Sequence, residues 1–361
     1  MSTKTADFLD AIDRSFLDRD DFISYIKDDV DLSKLENKLS LIGSVSDYER
    51  NAFIQSLDRY FKIIDQSEDL ILFWSSDERV PYYVHIEDKE FPLFFAAANK
   101  TDEIPDTLVE YLRNDQAMSR MWVGKREMER FRQQMVKDHS NLIIPYFTAK
   151  RSKHTEISAQ KRPDYDRTIS YWADDGLETF RHFKNRYGVL PTNIQFEDPS
   201  HFKFQITQDG VFTAINGGVD EIADLIGHST ERLRFIKSKI NTADYDVETY
   251  DFLEDFSMPY SKPWAISLED RPAEEDIRHF EGNVKESNLE FNVVHFDPYF
   301  DRRAFDAELM DKNNYGKTAV RTKEASIRVY PRAETGLEQS IQIYNFVDDH
   351  IDPNCKAIEV V

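Results

Sequence analysis

Short apolar runs of strand length recur along this chain, parted by polar turns and interrupted by stretches with helical spacing. Residues 70–74 (LILFW), 80–86 (VPYYVHI) and 91–98 (FPLFFAAA) follow one another closely. Their aromatic and β-branched content suits a pleated, half-buried surface. Pro81 and Pro92 stand near the strand starts, where a missing N–H is tolerated. Ahead of them, Phe8, Leu9, Ile12, Phe16 and Leu17, then Ile23 and Ile26, then Phe53, Ile54, Leu57, Tyr60 and Phe61 return at three- and four-residue intervals, so residues 6–65 read as helical. Pro105 opens a helix that runs in pieces to about His139, and residues 142–147 (LIIPYF) form another strand.

The second half repeats this mixture. Asp175-Gly176 introduces a helix over 177–186, which Tyr187-Gly188 stops. Residues 194–196 and 202–207 read as strands, Asp209-Gly210 as a hairpin turn, and 211–215 as the return. Strands over 264–268, 289–296, 325–330 and 357–361 alternate irregularly with helices over 274–284 and 337–348. No regular βαβ order emerges, so the expected class is α+β: mixed helices and short, mostly antiparallel strands in two or three lobes. The polar stretch Thr148–Asp166 is the natural linker or loop. Expected domains are therefore 1–147, a basic connection over 148–167, and 168–361.

Composition narrows the setting. An apolar share of 40% over 361 residues supports real cores. No apolar run nears the ~20 residues that cross a bilayer, and the N-terminus lacks a basic and an apolar signal region. The single cysteine, Cys355, excludes an internal disulfide framework. The expectation is a cytoplasmic protein with no membrane partner.

Charge is unevenly distributed. The formal charge is −22, yet residues 113–167 hold 13 basic and 7 acidic residues, a net of +6. Like charges are costly to gather unless something anionic meets them. Lys150, Arg151, Lys153, Lys161, Arg162 and Arg167 lie in the loop, with Glu156, Asp164 and Asp166 as local counter-charge. A second basic stretch comprises Lys312, Lys317, Arg321, Lys323, Arg328 and Arg332 against Glu324 alone. It can line an anion groove or pair with acids of a neighbouring element.

Residues 219–240 (VDEIADLIGHSTERLRFIKSKI) carry the most specific pattern. Ala223, Gly227 and Leu233 stand where two helices joined by a tight turn need a small residue, a glycine and an apolar pin. Ser229 or Thr230 would cap the second helix. This segment resembles the helix-turn-helix superfamily of DNA-binding domains. The resemblance implies a second helix over 230–239 in the major groove, with Ser229, Thr230 and Arg234 near bases and Arg232, Lys237 and Lys239 near phosphates. An ordinary helical hairpin would satisfy the same spacing.

Signals for catalysis are sparser. Tyr315-Gly316-Lys317-Thr318 imitates the end of a phosphate loop, but Asp311 stands where its first glycine belongs. His295 and Asp297 follow an apolar strand and share a face, with Asp301 close behind, and Glu269 ends another strand. Such a set could hold Mg²⁺ or Mn²⁺ for a nuclease. Arg132 and His139 have the spacing found in some small helical ribonucleases. Trp172, Trp264 and most phenylalanines read as core. The leading expectation is a nucleic-acid-binding protein, most simply of duplex DNA, without its own chemistry or cofactor. It would act as a regulator or as part of a genome-maintenance or defence complex. A metal-dependent nuclease and a protein-interaction subunit are the alternatives.

Overall fold

A computed structural model of the chain describes residues 19–30, 35, 38–76, 80–98, 103–153, 157–249, 257–287, 289–332 and 335–360. The helix expected over Phe8–Leu17 and the final Val361 lie outside the described residues. The chain is α+β, with antiparallel strands in three sheets. It forms two units, one of Met1–Lys150, Ala159–Lys161 and Thr168–Thr230, the other of Arg151–Ser158, Arg162–Arg167 and Glu231–Val361. The division therefore falls elsewhere than the expected 147 and 168. Strands from both sides of the loop join one sheet, so the first unit continues well past 168.

That sheet has eleven strands: β1 (Leu39–Ser46), β2 (Phe61–Ser67), β3 (Leu70–Ser75), β4 (Pro81–His85), β5 (Leu93–Ala96), β6 (Met118–Arg120), β7 (Ile143–Arg151), β8 (Arg167–Trp172), β9 (Leu190–Asp198), β10 (Phe202–Thr207) and β11 (Val211–Asn216). Their order is β2-β3-β4-β5-β1-β11-β10-β9-β7-β8, with β6 paired to β1. Among the described residues, its α-helices are α1 (Arg19–Asp28), α2 (Arg50–Tyr60), α3 (Glu110–Asn114), α4 (Lys125–Asp138), α5 (Gly176–Tyr187) and, in part, α6 (Val219–Ile240). On the β1–β5 half, Ile42, Phe53, Leu57, Phe73, Tyr82, Phe94 and Leu112 build one buried core. On the opposite face, Phe22 of α1 packs edge-on against Phe95 at 4.8 Å. Strand β1, within the region read as helical, is buried at every position (LSLIGSVS). Its unbroken small and apolar run fits a strand covered on both faces rather than a one-sided helix.

The turns follow sequence chemistry. Gly210 closes the β10–β11 hairpin at φ +75°, and a Cβ there would meet the Met121 carbonyl at 2.1 Å. Helix α5 ends at Gly188, φ 63°, whose N–H reaches the Lys184 carbonyl at 2.8 Å.

The second unit holds the hairpin β12 (Asp244–Thr249) and β13 (Ser257–Lys262), and a six-stranded sheet. The latter comprises β14 (Trp264–Ser267), β15 (Phe291–Tyr299), β16 (Ala304–Asp311), β17 (Lys317–Thr322), β18 (Ser326–Tyr330) and β19 (Lys356–Glu359), in the order β15-β16-β17-β18-β14-β19. Helices α7 (Glu274–Glu286) and α8 (Leu337–His350) complete it. Phe280 of α7 meets Phe296, Phe305 and Phe346 at 4.7–5.3 Å between ring centroids. Every residue of α8 is buried, and several of its polar side chains reach neighbouring elements. Gln339 accepts from Thr318, Gln342 accepts the Glu290 N–H, and His350 meets Ser287. No described helix is long and apolar enough to cross a membrane.

The turn expected at Gly227 is absent: residues 219–240 form one continuous helix of 22 residues. The reason lies in the buried positions. Ile222, Leu225, Ile226, Ser229, Leu233, Ile236 and Ile240 keep three- and four-residue spacing straight through Gly227. A glycine inside a helix costs only about 1 kcal/mol against alanine, too little to break such a stripe. Gly227 is exposed, and a Cβ there would meet nothing within 4 Å. Gly227→Ala should therefore stabilise the protein by about 1 kcal/mol in urea unfolding; a loss of stability would reveal a turn that needs glycine.

Candidate nucleic-acid interface

Several of the basic residues singled out by sequence are buried or paired. Arg151 is 6% exposed, and its guanidinium donates to the carbonyls of Ile157 and Pro163. Burial and the nearby Arg167 pull its pKa down. It organises its own loop rather than meeting solvent. Lys153 is exposed and pairs with Asp166 at 3.6 Å. Lys161 and Arg162 are exposed, Arg167 is half-buried, and the Lys161 N–H donates to Arg186. On α6, Lys237 is 3% exposed and Ser229 is buried against Glu127 at 2.7 Å, so neither faces a groove. Arg232, half-buried, donates to Asn345. Thr230 is half-buried, Arg234 is exposed, and the Lys239 ammonium lies 5.5 Å from the exposed Phe235 ring.

The C-terminal basic stretch meets acids. Strand β17 pairs with β16, so lysines and arginines alternate with carboxylates across one sheet face. Glu308 binds Arg332 at 2.8 Å and Lys317 at 3.6 Å, while Asp306 lies 4.0 Å from Arg321. Arg321 also stands over Tyr330, and Arg328, half-buried, lies directly across from it. Lys323 is exposed in the β17–β18 turn. Pairing with neighbouring acids is observed for Lys317, Arg321 and Arg332, while Lys312 donates to the Leu289 carbonyl. Surface pairs of this kind add little stability, but they neutralise the charge an anion groove would need.

The nuclease set does not assemble. The His295 imidazole meets the Asp297 carboxylate at 2.9 Å on an exposed face. Asp301 lies beside Arg302 at 3.7 Å. Among the described residues, no group of three His, Cys, Asp or Glu is placed to hold a metal ion, so neither Asp301 nor Glu269 completes the pair. The end of β14 does approach the β15–β16 turn, but through Asp270 and Arg303 at 3.2 Å. The neighbouring Arg271 N–H and the Arg303 guanidinium hold the Asp270 carboxyl below the usual range. Arg132 is buried on Glu129, and His139 packs against Phe202, so the ribonuclease spacing has no shared surface behind it. Burial, with Asp348 nearby, pushes the Cys355 thiol up to about 12, which leaves no thiolate to react.

A different surface emerges on the first unit. Strands β7 and β8 alternate, with Phe147 and Tyr171 turned to the side that Phe180 of α5 packs against. The opposite side carries Tyr146, Thr148 and Lys150 of β7 and Thr168, Ser170 and Trp172 of β8. Trp172, expected in the core, is 74% exposed. Its ring centroid lies 4.0 Å from that of Tyr146, with 37° between the planes. The Tyr146 hydroxyl bonds Thr148 at 2.8 Å, and Thr148 bonds Ser170 at 3.1 Å. The polar row continues inward by register: Tyr146 opposite Gln195, Gln195 opposite Gln205, Gln205 opposite Thr213, Thr213 opposite Ser40. Gln205 donates to Asn193 at 2.7 Å, and Lys203 pairs with Glu197 at 2.6 Å. Burial deepens along this row, from exposed Trp172 to fully buried Ser40. The signal for it was the alternation of Thr168, Ser170 and Trp172 with Ile169 and Tyr171, hidden beside a long polar loop.

The model of the AF_0896_M family middle domain matches residues 126–209. That stretch contains β7 to β10 and so most of the polar face. An uncharacterized protein of Archaeoglobus fulgidus is 23% identical over 351 residues, covering 92% of this chain and 94% of its own length. Neither description states an activity.

The face is backed by α4, packed on β9, and by α5. Buried Glu129 of α4 ties the two helices, accepting two bonds from Arg132 at 2.7 Å and one from Lys184 of α5 at 2.6 Å. Burial raises its pKa, but the two cations together outweigh that and hold the carboxyl below its usual value. A depressed carboxylate stabilises the fold above its unfolded pKa, and the contribution fades as pH falls through the folded value. Glu129→Gln should cost about 3 kcal/mol in urea unfolding at neutral pH, since it leaves buried Arg132 unpaired. The deficit should shrink in acid; a deficit unchanged by acid would show that the carboxylate charge is not what binds the helices.

Proposed function

We propose that this chain is a cytoplasmic nucleic-acid-binding protein without chemistry of its own, acting as a regulator or within a genome-maintenance or defence complex. The observation that carries the reading is the Trp172–Tyr146 pair on an open polar sheet face. Large aromatic rings normally go inside, and an exposed indole forgoes that burial. Its flat surface suits a nucleobase, which stacks on such rings. The surrounding sequence supports the same partner. Residues 113–167 carry a net charge of +6 in a chain of −22, and β7 with its Lys150 lies within them. Lys150 stands on this face itself and offers a phosphate a positive partner.

The reading predicts measurable binding of at least one nucleic-acid form at low ionic strength. Fluorescence anisotropy with labelled single- and double-stranded DNA and RNA should give a log affinity that falls linearly with log salt. Absence of binding by all four at low salt would remove the proposal.

An interaction subunit is the second reading, and one feature of the second unit favours it. Edge strand β15 and the turn after it expose Val294, Tyr299 and Phe300. Pro298 and a register shift between Val293 and His295 blunt this edge against casual pairing. Recovery of a stoichiometric protein partner that is lost on Tyr299→Ser would support that reading; an undiminished partner would dismiss it.

A further inference from the structure

We infer that the open face of β8, β7, β9 and β10 binds single-stranded nucleic acid, with one unpaired base stacked on Trp172 and a phosphate further along the same strand at Lys150. This deepens the nucleic-acid reading above and rests on it.

Geometry argues for a single strand. Inside a duplex each base is covered by its neighbours, so its face is closed to a side chain; a base lying on an indole must be unstacked. The indole stands on the edge strand, 74% exposed, where such a base can reach it. Tyr146 beneath it, with centroids 4.0 Å apart, fixes the ring and extends the aromatic surface. Tyr146 is in turn held by Thr148, and Thr148 by Ser170, so the platform is pinned by hydrogen bonds before any ligand arrives. The helical route to duplex DNA has lost its parts, because α6 is unbroken and Lys237 and Ser229 are buried.

Chemistry along the face agrees. Beyond the aromatic pair come the half-buried Asn193 and Gln195, whose amides offer both donors and acceptors to base edges. From β8 to β10 is three interstrand steps of ~4.8 Å, about 14 Å in all, room for two or three nucleotides. The ionic groups on the face are Lys150, Lys203 and Glu197, and the last two neutralise each other at 2.6 Å. Lys150 is thus left as the phosphate contact on this face. A docking protein segment would find little apolar surface here besides Trp172 and Tyr146.

The test uses the full chain with a 12-nucleotide oligo(dT), the same length of oligo(rU), and a hairpin duplex of equal length. Of four tryptophans, Trp172 is the highly exposed one, so stacking should quench the intrinsic fluorescence. A single strand should bind at least about tenfold more tightly than the hairpin. Trp172→Ala should weaken single-strand binding about 5- to 100-fold, the range expected for losing one stacked base. Trp172→Phe should restore most of it, which a merely unfolded variant would not allow. Lys150→Ala should lower the magnitude of the salt slope by about 0.7, one phosphate contact. Equal affinity for the hairpin, or single-strand binding untouched by Trp172→Ala, would overturn this inference while leaving the broader reading standing. Quenching by a neutral oligosaccharide with none by any nucleic acid would overturn both.

Discussion

Strand β1 is held against β11 although 173 residues separate Ser40 from Thr213, whose hydroxyls meet at 3.3 Å. Leu39, Leu41 and Ile42 pair in register with Ala214, Phe212 and Val211, and every one of these is buried. Without this pairing the β1–β5 meander and the β7–β11 group would be two small sheets, each with an open edge. With it they form one surface, and a shift of one residue would send each apolar side chain to the wrong face. So remote a contact carries a loop-closure cost, and chains dominated by such contacts fold slowly.

The join also explains where an open face can occur. On the β1–β5 half, helices and aromatic packing cover both sides, and β1, β4 and β5 are buried throughout. Among the described residues beyond β11, α4 and α5 cover one side, and the other grows more exposed from Gln205 of β10 to Trp172 of β8. The other side is built from Thr, Ser, Asn and Gln, which cannot form a core and instead bond one another across strands. Trp172 and Tyr146 are the aromatic exceptions in that composition, and Lys150, Lys203 and Glu197 the charged ones. Several cations elsewhere are engaged by neighbours: Glu308 and Asp306 meet Arg332, Lys317 and Arg321, and Arg151 closes its own loop. Counting lysines and arginines along the sequence therefore overstates the open positive charge around β17.

Much of the fold was legible from sequence. The strands near 70–75, 81–85, 202–207 and 211–216, the hairpin at Gly210 and the end of α5 at Gly188 follow from apolar run length and glycine chemistry. What escaped had physical causes. Strand β1 lacks alternation because both of its faces are covered. Strands β16 and β17 escaped because their outward residues are charged, so their inward Phe305, Ala307, Leu309 and Val320 are diluted. Residues 219–240 offered two consistent readings, and only the continuity of the buried stripe through Gly227 separates them. For the candidate site, Lys150 was legible as part of a charged run, but Trp172 was assigned to the core on residue type alone.

The central claim is that nucleic acid lies on the β7–β8 face, and photo-crosslinking tests it without relying on any variant. A single-stranded oligonucleotide carrying 4-thiouracil would be irradiated with the whole chain and the adducts mapped by peptide mass spectrometry. The account predicts adducts on the peptides that hold Tyr146 and Trp172. Adducts confined to Arg232–Lys239 of α6, or to β17 and β18, would contradict it.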